Sequence, residues 1–197
     1  YYNKSLFEEL GLPDPYELYE NGEWTFEKLR EIAQKATVYE DDNTTVKTYG
    51  FGTHARDLFV LANGGKFVDW DEAQGTYVST LKSAATIAGL NILRDIIADG
   101  SMNPSIHGFT EFPARKIAMF AERPMNAIGN YDLLNTMDDE IGIVPFPQGP
   151  NADKVYAPSN FITNFVPTNA KNPLGGMAWN YFYVRRMAEG KARQEEA

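Results

Sequence analysis

The apolar run Ile117-Ala118-Met119-Phe120 ends in Ala121-Glu122-Arg123-Pro124-Met125-Asn126. An acid, a base, a helix-starting proline and an amide thus follow directly on what reads as a buried strand. Strand ends are where mixed helix-and-sheet folds place their ligand contacts, because the loops that leave them converge on one edge. A charged turn facing water is the plainer reading of the same residues. Glu122, Arg123 and Asn126 offer planar hydrogen-bonding groups, and Met125 offers a flexible apolar surface.

Other chemistries find less support. A hydrolytic triad needs a histidine beside a nucleophile, and the two histidines, His54 and His107, sit in no nucleophile-elbow pattern. There is no phosphate loop and no GxGxxG. Asp138-Asp139-Glu140 reads as a solvated turn. In Asp41-Asp42-Asn43-Thr44-Thr45-Val46-Lys47-Thr48, Asp41 and Asn43 match the first ligands of a calcium loop, but its mid-loop glycine and closing glutamate are missing. No metal and no cofactor is expected. The chain has no cysteine, which excludes disulfides and thiolate sites.

The elements that must position these residues follow from caps and periodicity. Asn3 caps a helix from Lys4 to Leu10 with Gly11 as its stop. Leu12-Pro13-Asp14-Pro15 reads as a double break. Thr25 caps a helix whose Phe26, Leu29, Ile32, Ala33 and Ala36 form one apolar face, with Trp24 in the core at its start. Strands are expected at Tyr49–Phe51, Phe67–Trp70 with Thr76–Ser79 as a hairpin, Ile117–Phe120, Ile141–Val144 and Phe161–Val166. Further helices are expected over Asp57–Ala62, from Ser83 to near Gly100, from Thr110 with Pro113 in its first turn, over Tyr131–Met137, and from Pro173 through Met187. The last would bury Leu174, Met177, Ala178, Tyr181 and Val184. The class is α/β, helix-rich around a small mixed sheet.

With 197 residues, 43% of them hydrophobic and 13% aromatic, the chain can build a core. Its net charge of −9, with no basic stripe, argues against nucleic acid as a partner. No apolar run approaches the roughly 20 residues of a membrane helix. Because Tyr1-Tyr2-Asn3 runs as strand straight into helix, the chain is expected to be a fragment of a longer protein.

Seven stretches occur in order: YYNKSLFEELGLPDP, WTFEKLREIA, YGFG, LANGG, KIAMFAE, IGIVPFPQGP and NAKNP. Together they resemble the extracellular solute-binding proteins of carbohydrate ABC transporters, the maltose-binding-protein-like solute-binding protein family 1. The resemblance implies one lobe of a two-lobe type II periplasmic-binding-protein fold. It implies that residues 1–158 form the second, ligand-binding lobe and that residues 159–197 are a hinge return strand and helix belonging to the first lobe.

The function so implied is capture of an oligosaccharide or similar polyol, without chemistry, for ABC permease subunits. The intact protein would be extracellular or periplasmic, held by a lipid anchor absent from this stretch. A carbohydrate hydrolase and a sensor or adhesion module are the alternatives. The ligand contacts carried over are Glu122, Arg123, Met125 and Asn126 at the strand end, with Met125 where the family stacks a tryptophan. Thr53, His54 and Arg56 follow from the loop before LANGG, and Ser159 and Asn160 from the hinge. Trp70 and Tyr131 are weaker stacking candidates.

Overall fold

The computed structural model describes residues 1–106, 108–122, 137–156 and 165–195. The chain divides into two compact units, Tyr1–Ser159 and Asn160–Ala197. In the first, β1 (Tyr2–Asn3) leads into α1 (Lys4–Glu9), α2 (Pro15–Glu20) and α3 (Phe26–Ala36). Then come β2 (Val38–Tyr39), β3 (Val46–Thr53), α4 (Leu58–Leu61), the hairpin β4 (Val68–Asp71) and β5 (Thr76–Ser79), and α5 (Ala84–Ala98). The unit continues with α6 (Gly108–Glu111), β6 (Ile117–Ala121) and β7 (Ile141–Gly142). The second unit carries α7 (Pro173–Glu195).

Among the described residues, five strands form one mixed sheet in the order β2-β3-β6-β1-β7. β6 runs parallel to β3 and antiparallel to β1. Covered on both faces, β6 carries the continuous apolar sequence such a central strand requires. Ala118 and Met119, one from each face of β6, join Phe51, Leu29, Ile32 and Phe59 in the main core. Ile117 and Phe120 join Phe112 in a second, smaller cluster.

Local signals set the helix starts. The Asn3 side chain accepts from the Leu6 amide at 2.8 Å, and the Thr25 hydroxyl accepts from the Lys28 amide at 3.3 Å. Ser83 caps α5 through the Thr86 amide, and Gly11 and Gly100 take the left-handed backbone after α1 and α5. The double break at residues 12 to 15 is instead a helix start. Asp14 is the cap of α2 and Pro15 its first residue, where the missing N–H costs nothing. α6 begins at Gly108 rather than Thr110, so Pro113 follows the helix instead of opening it.

The expected strand at Phe161–Val166 lies mostly outside the described residues, as do the helix over Tyr131–Met137 and most of its neighbours. Leu174, Met177, Ala178, Tyr181 and Val184 are exposed on α7. Helical spacing marks an apolar stripe that needs cover; it does not supply the cover.

Asp138-Asp139-Glu140 is only partly a solvated turn. Asp139 is largely buried, where its carboxylate accepts hydrogen bonds from Asn3 Nδ2 at 2.6 Å and from Arg115 Nε at 2.7 Å. Arg115 also grips Glu9, with both distances 2.9 Å. The backbone of Arg115 has φ +56°, a left-handed conformation costly for a side-chain-bearing residue. These ion pairs offset that cost and tie the start of β6 to the α1 cap.

Arg115, with Asn3 assisting and burial opposing, holds the Asp139 carboxyl below its ordinary value. A depressed folded pKa contributes stability above the unfolded value of about 3.9, and that stability is lost as pH falls through the folded value. Asp139→Asn should therefore cost about 1–3 kcal/mol near neutral pH. The deficit relative to wild type should shrink in urea denaturation curves taken below about pH 4. A deficit independent of pH would contradict an ionised Asp139.

Candidate functional site

Two strands that run parallel end side by side, and here that fact assembles the site. Thr53, the last residue of β3, pairs with Ala121, the last residue of β6. His54 and Glu122 are thus the first residues past two adjacent strand ends, in strands about 4.8 Å apart. Thr53 fastens the two ends together. It is buried, its hydroxyl donates to the Ala121 carbonyl at 2.8 Å, and the same oxygen accepts from the Ala55 amide at 2.9 Å. Its hydroxyl proton is spent on Ala121, so Thr53 holds the two strand ends in register.

His54 and Arg56 are exposed on the loop that follows. Arg56 is steadied by donating to the Pro104 carbonyl at 2.8 Å. Arg123, Met125, Asn126, Ser159 and Asn160 lie outside the described residues, as does Tyr131.

Beside this edge opens a cavity of about 380 Å³. Met119, Phe120, Ala121 and Glu122 line it from β6 and its exit, Trp24 and Leu29 from the start of α3, and Ile143 to Pro147 from the segment after β7. Tyr1, Tyr2 and Tyr156 complete it with three more aromatic rings. Of the sequence-expected contacts, Glu122 lines this cavity; Thr53, His54 and Arg56 share the sheet edge without lining it.

The cavity's polar groups are largely committed. The Trp24 indole N–H donates to the Pro145 carbonyl at 2.9 Å, the Tyr2 hydroxyl to Asp14 Oδ1 at 2.5 Å, and the Tyr156 hydroxyl to Asp153 Oδ1 at 2.8 Å. Burial, and then the negative charge of Glu122, push the Tyr1 phenol above its usual pKa; burial and the Asp14 partner push the Tyr2 phenol up as well. Both remain neutral hydroxyls at physiological pH. Tyr1 stacks on Phe120 at 4.8 Å between ring centroids, which fixes it next to the strand end. Among the described residues no cluster of His, Cys, Asp and Glu is arranged to hold a metal ion, and no helix is long and apolar enough to cross a membrane.

Sequence reasoning placed Trp24 in the core, and it is buried, yet its ring also forms cavity wall. It missed Tyr156 and the prolines of Pro145-Phe146-Pro147. The proline-rich exit from β7 was visible as a stiff segment. That it folds back over Trp24 depends on the pairing of β7 with β1, which no local pattern shows.

No protein-family model and no curated protein sequence matches the chain. Solved structures do match. UgpB from Mycobacterium tuberculosis, in complex with glycerophosphocholine, aligns at 24% identity with a TM-score of 0.55, over 77% of this chain and 37% of that one. A sugar transporter from Rhizobium etli in an open conformation aligns at 22% identity with a TM-score of 0.51, over 79% of this chain and 38% of that one. An ABC substrate-binding protein from Listeria monocytogenes, in complex with cycloalternan, aligns at 22% identity with a TM-score of 0.46, over 60% and 30%. The chain therefore spans well under half the length of these proteins. It carries the fold of the ABC-transporter substrate-binding proteins, as one lobe of the type II periplasmic-binding-protein architecture.

Proposed function

We propose that this chain supplies one wall of the solute-binding component of an ABC importer. It captures an oligosaccharide or similar polyol between two lobes and hands it to permease subunits, without covalent chemistry, cofactor or metal. Residues 1–158 act as the ligand-binding lobe, and residues 159–197 as the return strand and helix of the first lobe. The intact protein works outside the cytoplasmic membrane, held by a lipid anchor. The observation that carries this reading is the junction of two parallel strand ends, Thr53 beside Ala121, next to an aromatic-walled cavity with Glu122 on its lining. Loops leaving such ends can carry His54, Arg56, Arg123, Met125 and Asn126 to one ligand, and the family resemblance adds Ser159 and Asn160 as candidates. The shared fold with a glycerophosphocholine complex supports capture of a small solute.

Titration calorimetry against maltooligosaccharides, polyols and glycerophosphodiesters tests the reading. Stoichiometric, saturable binding with no product is expected, together with a ligand-dependent rise in melting temperature. Turnover of a sugar, or no binding across the panel, would overturn it. Glu122→Ala should weaken the binding so found by about tenfold. Its melting temperature should stay near that of wild type, because Glu122 sits past the end of β6 rather than in the core. A large drop in melting temperature would make Glu122 a structural residue.

A further inference from the structure

The cavity wall that follows β7 has little of its own to hold it in place. Among the described residues no helix or strand lies between Gly142 and Tyr156, and the segment's one strand-like pairing is the isolated bridge between Gln148 and Thr25. Pro145, Pro147 and Pro150 have no N–H to give, so the segment cannot build a ladder. What fixes it comes from other elements. At one end the Trp24 indole N–H donates to the Pro145 carbonyl at 2.9 Å, and the Gln148 amide donates to the Trp24 carbonyl at 3.1 Å. At the other end stands Asn63, just past α4.

Asn63 is fully buried, and its side-chain amide is used at both ends. Oδ1 accepts from the Asn151 amide at 2.9 Å, while Nδ2 donates to the Ala85 carbonyl of α5 at 2.7 Å and to Asn151 Oδ1 at 3.2 Å. The two main-chain partners have fixed polarity, so only this orientation of the side chain satisfies both. Beside it the Gly149 amide donates to the Ala62 carbonyl at 3.2 Å, and a Cβ built on Gly149 would overlap Asn63 Oδ1 and crowd its Cα. The loop therefore sits as close to Asn63 as a glycine allows. Farther along, the Tyr156 ring packs over Gly64, its Cε2 3.8 Å from where a Cβ would stand. We infer that Asn63 is a positioning residue, a latch that holds the segment from Pro145 to Tyr156 against α4 and α5 and keeps the cavity wall in place before any solute arrives. Its part in solute capture rests on the reading proposed above. A wall already fixed spares binding the cost of ordering it.

The test is native-state hydrogen exchange on the full chain, followed by NMR. The reporter is the Trp24 indole N–H, whose own partner, the Pro145 carbonyl, is untouched by a change at Asn63. The Phe51 amide, bonded to the Ser101 carbonyl at 3.1 Å, is the core reference. In Asn63→Ala the Trp24 indole should lose at least about tenfold in protection relative to Phe51, as a segment does when it opens locally. Gly149→Ala removes no buried polar group but crowds the latch, so it should give the same relative loss and carries the test where Asn63→Ala does not fold. Trp24 protection that stays at the wild-type level, or falls only in step with Phe51, in either folded variant would overturn the latch. Calorimetry should also show maltooligosaccharide affinity about tenfold weaker in Gly149→Ala. Unchanged affinity would overturn the wall's part in capture. If nothing in the solute panel binds even the wild-type chain, the solute-binding reading fails by itself, and the exchange result still decides the latch.

Discussion

Gly50→Ala should lower the stability of this protein by more than about 3 kcal/mol. Gly50 lies buried in β3 where helix α3 crosses the strand, and a Cβ built on it would overlap the Ala33 carbonyl oxygen and crowd the Ala33 Cα. Those are backbone atoms, so no rotamer change can relieve the overlap. The same point is also a hydrogen-bonded junction. The Thr37 hydroxyl donates to the Ala33 carbonyl at 2.8 Å and accepts from the Gly50 amide at 3.1 Å, closing the C-terminal turn of α3 onto the strand. Pushing α3 off β3 would break this relay and open the core around Ala33 and Ile32. Overpacking costs typically 1–3 kcal/mol where side chains can yield, and a loss above about 3 kcal/mol is expected where they cannot. Against a stability of about 5–15 kcal/mol, that is a severe defect, readable as a lowered urea midpoint. Gly52 is the internal control. A Cβ there meets mainly the Ile117 Cδ1 atom, the free end of a flexible side chain, so Gly52→Ala should cost clearly less. Equal losses at the two glycines would refute the close approach of α3 to β3.

What the sequence could show follows from range. Asn3, Thr25 and Ser83 cap their helices by bonding amides three residues on, so each start is written within one turn. The hairpin of β4 and β5 is equally local, and both strands fall within a residue of expectation. Asp14-Pro15 carries the same cap-and-proline order as Asn172-Pro173, but a preceding Pro13 disguised it as a break. Glu122 was legible because a strand end can be seen where an apolar run stops. The partners of Asp139 were not, since Arg115 lies 24 residues away and reaches it only through the left-handed turn before β6. The cavity is more distant still: Trp24, Phe120, Phe146 and Tyr156 meet only because β1 pairs with both β6 and β7. Pairing over such separations leaves no periodic trace in any one segment.

Phe59→Ala should be the costliest single truncation in the core, at about 3–5 kcal/mol. Phe59 is fully buried on α4 and makes three ring contacts among the described residues. Phe26 lies at 5.4 Å, Phe51 at 5.9 Å edge-on, and Phe146 at 5.0 Å edge-on. It therefore joins a helix, a sheet strand and the segment after β7 in one cluster. Each aromatic pair adds about 0.5–1.5 kcal/mol beyond the area it buries. The surroundings cannot collapse into the space, because Phe26, Phe51 and Phe146 are held by separate elements. Phe59→Leu, which keeps apolar volume but loses the ring edges, should recover a substantial part of the loss. Phe146 also lines the cavity and contacts Phe26 at 5.9 Å. Loosening it should weaken solute binding even under conditions where Phe59→Ala remains folded, with calorimetry as the readout and urea midpoints as the check on folding. A stability loss below about 1 kcal/mol would mean that Phe59 does not bridge the three elements. Full stability loss with unaltered solute affinity would confine its role to the core and free the Pro145–Pro147 segment from dependence on it.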